Sequence, residues 1–330
     1  MKAIVLDLGG TRLKIGLISD GKIIAQSLLP AYSENGLLVR LPSVEVSVNQ
    51  MLKETNTDIS ELVGVGVSIP GIVDTKEMRV LSINKKFDDV PGFDFNGWSH
   101  KTWGIPTVIE NDARAALIGE WQYGAGKNCD NIVLVTLGTG IGGAAMIEGK
   151  LLHGKHFQAG CLGGHFTINM HGDKCTCGNI GCVESEASTW KLPELFRNHP
   201  DFKQSLARES ELLDFETLFS LSQQNDKTAI DIVYHCIEVW TAGIITMIHA
   251  YDPEMVIIGG GVMKSEKMIL PYIREKVAQR AWTTWGKVQI EAAHFSDEAG
   301  MLGMAHLLEN SKPFKWNKFT IKSKEFLLKR

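Results

Sequence analysis

Short apolar runs broken by glycine set the pattern of the first thirty positions. Residues 3–8 and 13–18 read as strands joined by the turn Gly9-Gly10-Thr11-Arg12, and Ser19-Asp20-Gly21 turns the chain into a third run over 22–29. Val44, Val48, Met51 and Leu52 then recur at helical spacing and predict a helix to residue 55, with Ser43 as its cap. Further along, 63–68 reads as a strand ending at Pro70-Gly71, and 107–109 as a short strand. A helix follows over 111–122, closed by Gly124 and Gly126. Strands over 132–137 and 141–147 flank Gly138-Thr139-Gly140. A long apolar helix at 228–251 stops before Pro253, a buried-type strand at 255–258 enters Gly259-Gly260-Gly261, and helices at 265–281 and 296–309 end the pattern.

One motif occurs twice. Leu6-Asp7-Leu8-Gly9-Gly10-Thr11, a strand and Gly21-Lys22 are echoed by Val135-Thr136-Leu137-Gly138-Thr139-Gly140, a strand and Gly149-Lys150. Each copy would open one α/β domain, and two such domains facing each other enclose a cleft suited to a small ligand. Two unrelated hairpins with turn glycines are the plainer alternative.

Composition narrows the classes of partner. At 330 residues the chain has room for two cores, and 44% apolar with 22% charged residues is ordinary for a globular protein. A formal charge of −4 gives no footprint for nucleic acid. No signal peptide is legible, and no run approaches the ~20 apolar residues of a membrane span, so a cytoplasmic location without membrane partners is expected. Thiols there stay reduced.

Four segments carry chemistry. The paired glycines of Asp7-Leu8-Gly9-Gly10-Thr11 let backbone N–H groups approach an anion, Thr11 adds a hydroxyl, and Asp7 could hold a hydrated Mg²⁺. Gly138-Thr139-Gly140-Ile141-Gly142-Gly143 repeats the device, so two loops could grip a polyphosphate from both sides. Gly259-Gly260-Gly261 offers a third close approach, or merely a tight turn. None is a Walker loop, and the second lies between strands, which argues against a dinucleotide fold. In Glu110-Asn111-Asp112-Ala113, Asp112 either caps a helix or serves as a base that takes a proton from an attacking hydroxyl. Lastly, Cys175-Thr176-Cys177-Gly178-Asn179-Ile180-Gly181-Cys182 places three of the six cysteines within one glycine-rich loop. In a reducing compartment that spacing suits structural Zn²⁺, with His165 and His171 both open as the fourth ligand.

Together these segments resemble the ROK family of bacterial sugar kinases and sugar-responsive repressors, over about residues 2–308. Asp7-Leu8-Gly9-Gly10-Thr11 is similar to the family's first phosphate loop, Glu110-Asn111-Asp112-Ala113 to its catalytic segment, and residues 135–145 to its glycine-rich signature. Asp252-Pro253-Glu254 through Gly259-Gly260-Gly261 looks like its adenosine-side motif, and Gly164-His165 before the cysteine loop like its zinc motif. The resemblance implies an α/β fold of duplicated actin-like (ribonuclease-H-like) ATPase domains with an interdomain cleft. The first domain would be 1–111, completed by the helix at 296–310, and the second 112–295 with the zinc loop.

It implies ATP-dependent phosphorylation of a hexose or N-acetylhexosamine, at the 6-hydroxyl, with Asp112 as base and Mg²⁺ beside ATP. Gly71, Asn84, Asn111, His165 and Glu184 would line the sugar pocket. Zn²⁺ would sit on His165, Cys175, Cys177 and Cys182. A homodimer or homotetramer is the family default.

Two departures stand out. The family's glutamate ahead of the zinc histidine falls on Leu162, or on Cys161 with a one-residue shift, and no acid occurs between Gly149 and Gly172. A charge-assisted hydrogen bond of ~1.5–3 kcal/mol is thereby missing, which leaves a catalytically weak or sugar-sensing protein as the alternative. Regulators of the family carry a helix-turn-helix segment ahead of the first phosphate loop, and Asp7 leaves no room for one. The second departure is a basic, aromatic extension over 311–330, read as an arm packed on the body or on a neighbouring subunit.

Overall fold

In the computed structural model, which describes residues 1–311, the chain forms two five-stranded sheets of matching order. The first half contains β1 (Lys2–Leu8), β2 (Arg12–Ser19), β3 (Lys22–Pro30), α1 (Leu41–Glu54), β4 (Leu62–Ile69), β5 (Ile72–Asp74), β6 (Arg79–Ser82), α2 (Phe95–Trp103) and β7 (Thr107–Asn111). After α3 (Asp112–Tyr123), the second half contains β8 (Ile132–Leu137), β9 (Ile141–Ile147), β10 (Lys150–Leu151), α4 (Val183–Ala187), α5 (Leu192–Asn198) and α6 (Phe215–Gln223). It continues with α7 (Lys227–Tyr251), β11 (Met255–Gly259), α8 (Glu266–Arg280) and β12 (Gln289–Ala292), and α9 (Ala299–Asn310) follows.

The sheet orders are β3-β2-β1-β4-β7 and β10-β9-β8-β11-β12. In each, an antiparallel hairpin precedes two parallel strands added by crossover connections. The sequence echo is therefore a structural one. β1 and β8 occupy equivalent central places, and both glycine turns lie at their carboxyl ends. Central strands such as β4 and β11 are buried along nearly their whole length, as expected for parallel strands covered on both faces.

Two large cores sit on the two sheets, and α3 lies between them. Ala113 and Leu117 pack with Ile132, Leu134 and Ala144 of the second sheet, while Ala115 packs with Val5, Ile18 and Met301. α9 returns to the first sheet, packing on β1, β4 and β7 as well as α3. Two glycines permit that contact: a Cβ on Gly303 would lie 1.9 Å from the Ala115 carbonyl, and one on Gly119 2.0 Å from that of Ala299. The buried Glu120 carboxylate ties down the approach to α9 by accepting N–H bonds from Ala125, His294 and Phe295 at 2.7–3.0 Å.

Several expectations change. α1 begins at Leu41 with Pro42 in its first turn, and Ser43 is inside the helix rather than its cap. α8 continues through Pro271 in its second turn, where the missing N–H removes one bond of the helix ladder. α7 is long and apolar enough to cross a membrane by length and composition, contrary to the sequence reading, yet 61% of its most apolar window is buried in the second core. The reading of 311–330 lies outside the described residues beyond Ser311.

Candidate active site

A cleft of about 590 Å³ opens between the halves at the carboxyl ends of β4, β7 and β8. Asp112 sits in it because β7 ends at Asn111 and α3 starts at once. The Asn111 side chain caps α3, accepting from the Arg114 N–H at 3.2 Å, and its amide donates to the Gly71 carbonyl at 3.1 Å and to the Asp112 carboxylate at 3.0 Å. Asp112 also accepts from the Ala113 N–H at 2.8 Å. Its carboxylate is open to the cleft but walled by protein. Loss of surrounding solvent, then the negative charge of Asp7, raise its pKa above the ordinary aspartate value; Lys86 and the Ala113 N–H work against them.

Behind Asp112 runs a buried polar brace. Arg114, fully buried, donates to the carbonyls of Phe157 and Ala159 at 3.0 and 2.7 Å and lies 3.6 Å from Glu110. Glu110 accepts the Asn111 N–H and pairs with His153 Nε2, both at 2.8 Å. The start of α3 is thus tied to the loop that carries Cys161 and Leu162 into the cleft.

The second glycine turn lines the cleft directly. Among the described residues no atom lies within 4 Å of a Cβ added at Gly138 or Gly261, and neither has a positive φ, so neither packing nor backbone strain calls for glycine there. What a Cβ would obstruct is the cleft itself, which suits close approach of a phosphate chain to backbone N–H groups. Thr189 fixes this turn, its N–H and hydroxyl both bonding the Gly138 carbonyl at 3.1 and 2.7 Å. Next to it lies an annexe lined by Phe215, Phe219, Gln223, Gly261 and Lys264, with apolar surface enough for a flat ring. No sequence signal marked α6 as part of a site, because its side chains meet Gly138 only through the fold.

The metal reading can be tested by geometry. His165, Cys175, Cys177 and Cys182 bring their ligand atoms within 4.8 Å of one another. Cys177 Sγ lies 3.8 Å from Cys182 Sγ, and Cys175 Sγ 3.6 Å from His165 Nδ1. Tetrahedral Zn²⁺ with S and N bonds of about 2.3 and 2.05 Å needs edges of about 3.8 and 3.6 Å. The four residues fit. His171 is exposed and outside the cluster. Burial pushes the Cys182 thiol up to about 12, which a bound cation would reverse.

Thr176, between two of these cysteines, lines the cleft and accepts from the Asn84 amide at 2.8 Å. Its own hydroxyl reaches Glu184 at 3.5 Å, and Glu184 accepts the Ile141 N–H at 2.9 Å. A chain of hydrogen bonds therefore crosses the cleft mouth.

Of the residues named from sequence, the structure gathers Gly71, Asn84, Asn111, Asp112, Gly138, Thr139, Gly140, His165, Glu184, Gly260 and Gly261 around one cleft. Asp7, Gly9, Gly10 and Thr11 border it without being among its lining residues. Asp7 is held by the Ser68 hydroxyl at 2.9 Å and by Lys14 at 3.3 Å. Gly259 is buried inside β11, and Asp252 and Glu254 lie beyond that strand's other end. Lys86, Thr176, Trp190 and the annexe were missed.

Comparison with known proteins agrees with this arrangement. A glucokinase from Thermotoga maritima is 32% identical over 319 residues, spanning 94% of this chain and 98% of its own. A xylose repressor from Bacillus subtilis is 28% identical over 248 residues, which are 75% of this chain and 61% of the repressor. The crystal structure of a ROK family glucokinase from Streptomyces griseus, in complex with glucose and AMPPNP, matches with a TM-score of 0.78 at 26% identity, over 94% of this chain and 100% of that one. The fold is the duplicated actin-like ATPase fold of such kinases. The ROK family pattern covers residues 3–311, and the chain belongs to the ROK family.

Proposed function

We propose that this sugar kinase moves the γ-phosphoryl group of ATP onto a hexose or N-acetylhexosamine, at the 6-hydroxyl, with Asp112 as the general base. The observation that carries the reading is Asp112 at the head of α3, inside the cleft that the Gly138–Gly140 turn lines and the Gly9–Gly10 turn borders. The hydroxyl oxygen attacks phosphorus in line, its proton passes to Asp112, ADP leaves, and the proton is then released to water. A raised pKa brings the carboxylate nearer to the working pH of a base, and the charge of Lys86 opposes part of that rise.

Asn84, Asn111, His165 and Glu184 would hold the sugar, and the annexe beside α6 would seat the adenine. Mg²⁺, bound with ATP and reached through water by Asp7, would screen phosphate charge. Zn²⁺ on His165, Cys175, Cys177 and Cys182 would supply no open coordination position, so it shapes the Thr176 loop and does not activate water. The first domain would be 1–111 with α9, and the second 112–295. A reducing cytoplasm fits a cysteine cluster of this kind.

ADP release measured against a panel of hexoses and N-acetylhexosamines tests the reading. The wild type turns over at least one of them, and Asp112→Asn does so about a hundredfold more slowly or worse. Tight sugar binding without turnover by the wild type would instead favour a sugar sensor, a reading kept open by Leu162 and Cys161 where a carboxylate would otherwise meet the ring.

A further inference from the structure

Lys86 stands in the loop after β6, half-buried, and its place is fixed by its neighbour. Phe87 is fully buried in the first core, and its N–H donates to the Ser33 carbonyl at 2.9 Å. From that anchor the lysine stem crosses the first glycine turn. A Cβ built on Gly10 would come within 2.7 Å of Lys86 Cε and 3.1 Å of its Nζ. The same side chain lines the cleft with Asp112, and its charge acts on that carboxylate. Among the described residues it makes no hydrogen bond or ion pair. Lys14, the other ammonium near this turn, is already engaged by Asp7 at 3.3 Å and by the Asp297 carbonyl at 2.7 Å. A partly desolvated cation that feels only the longer-range field of Asp112, with no ion pair among the described residues, is stabilised when an anion arrives.

Resting on the phosphotransfer reading above, we propose that Lys86 contacts the transferable γ-phosphoryl group, between the Gly10 turn and Asp112. Charge on that group spreads over its equatorial oxygens as the bond to ADP loosens, and an ammonium fixed in place needs no rearrangement to meet it. Lys86 also screens the phosphoryl oxygens from the negative Asp112 as the hydroxyl approaches. It gives up no proton; that of the hydroxyl goes to Asp112.

The test compares wild type, Lys86→Met and Lys86→Arg, methionine keeping an apolar stem over Gly10. Calorimetry with Mg²⁺ and either AMPPNP or ADP reads the contact directly. The wild type prefers AMPPNP. Lys86→Met loses about tenfold or more in AMPPNP affinity but less than about twofold for ADP, and Lys86→Arg regains most of the loss. In turnover, kcat of Lys86→Met falls about ten- to a hundredfold while KM for the sugar stays within about twofold. Equal preference for AMPPNP over ADP in wild type and Lys86→Met overturns the assignment, and so does a wild type with no such preference. Failure of the kinase reading shows separately, as no ADP release by the wild type with any sugar.

Discussion

The two sheets share one strand order but diverge after their third strands. In the first half β3 runs nine residues and the chain goes on to α1, an ordinary layer over the sheet. In the second half β10 is two residues long, and before the next long helix the chain makes the loop with the cysteine cluster and Glu184. The turns differ as well: Gly10 is covered by a lysine stem, whereas nothing among the described residues crowds Gly138. On the proposed reading the common part of the repeat would supply phosphate turns, and the divergent part the contacts to the substrate. A hairpin and its crossover strands are a scaffold that tolerates long insertions at one edge.

The largest effect expected is on the residue between the halves. Asp112→Asn lowers kcat by about 10²- to 10⁴-fold, with ATP and sugar dissociation constants little changed in calorimetry. For the wild type, activity falls as pH drops through the Asp112 pKa, which lies above the ordinary value of 3.8. The sign for stability is opposite: a raised folded pKa means the native state binds the proton more readily than the unfolded chain, so stability is lost as pH rises through it. Asp112→Asn therefore keeps or raises Tm while it removes activity. A fall in both would make the residue a helix cap first.

Next comes the brace. Arg114→Met leaves Glu110 buried without its cation, at a cost of about 3–5 kcal/mol, and Lys at 114 does not restore the two carbonyl contacts. Urea unfolding measures the loss; an unchanged midpoint would mean that α3 needs no tie to the second half's loop.

Smaller still is the metal. Cys177→Ser lowers zinc content below one per chain by metal analysis and Tm by about 5 °C, with hydrogen-exchange protection lost in the cysteine loop and kept in β1–β4. Equal loss in both sheets would break the regional contrast. The mildest change is Thr176→Val, which removes the link between Asn84 and Glu184 and raises sugar KM about three- to tenfold without altering KM for ATP. A shift in the ATP value alone would assign that loop to the nucleotide.

Much of this was legible in the sequence because it is local. Val/Ile runs bounded by glycine gave the hairpins, helical spacing of Val44, Val48, Met51 and Leu52 gave α1, and the stops at Gly124 and Pro253 closed α3 and α7. Three cysteines in one loop pointed to a candidate metal site, though only the fold separates His165 from His171. The losses are of two kinds. Helix starts slipped where two rules competed, as at Ser43, where Pro42 in the first turn outweighed a favourable cap. Lys86 and α6 stayed hidden because no motif marks their own neighbourhood, and Thr176 because the cysteines on either side of it carried the whole reading of that loop. Each acquires its partner from a segment far away along the chain: Gly10, Gly138 and Asn84 respectively.

The placement of α9 has a consequence for synthesis. The first sheet is covered by a helix that follows its last strand only after the whole second sheet, so β1, β4 and β7 must wait for that half to be synthesised. At about 5–20 residues per second, the interval between β7 and α9 is roughly 10–40 s. During that time β1, β4 and β7 lack one of their covering layers, and the nascent chain carries an apolar surface that a chaperone could occupy.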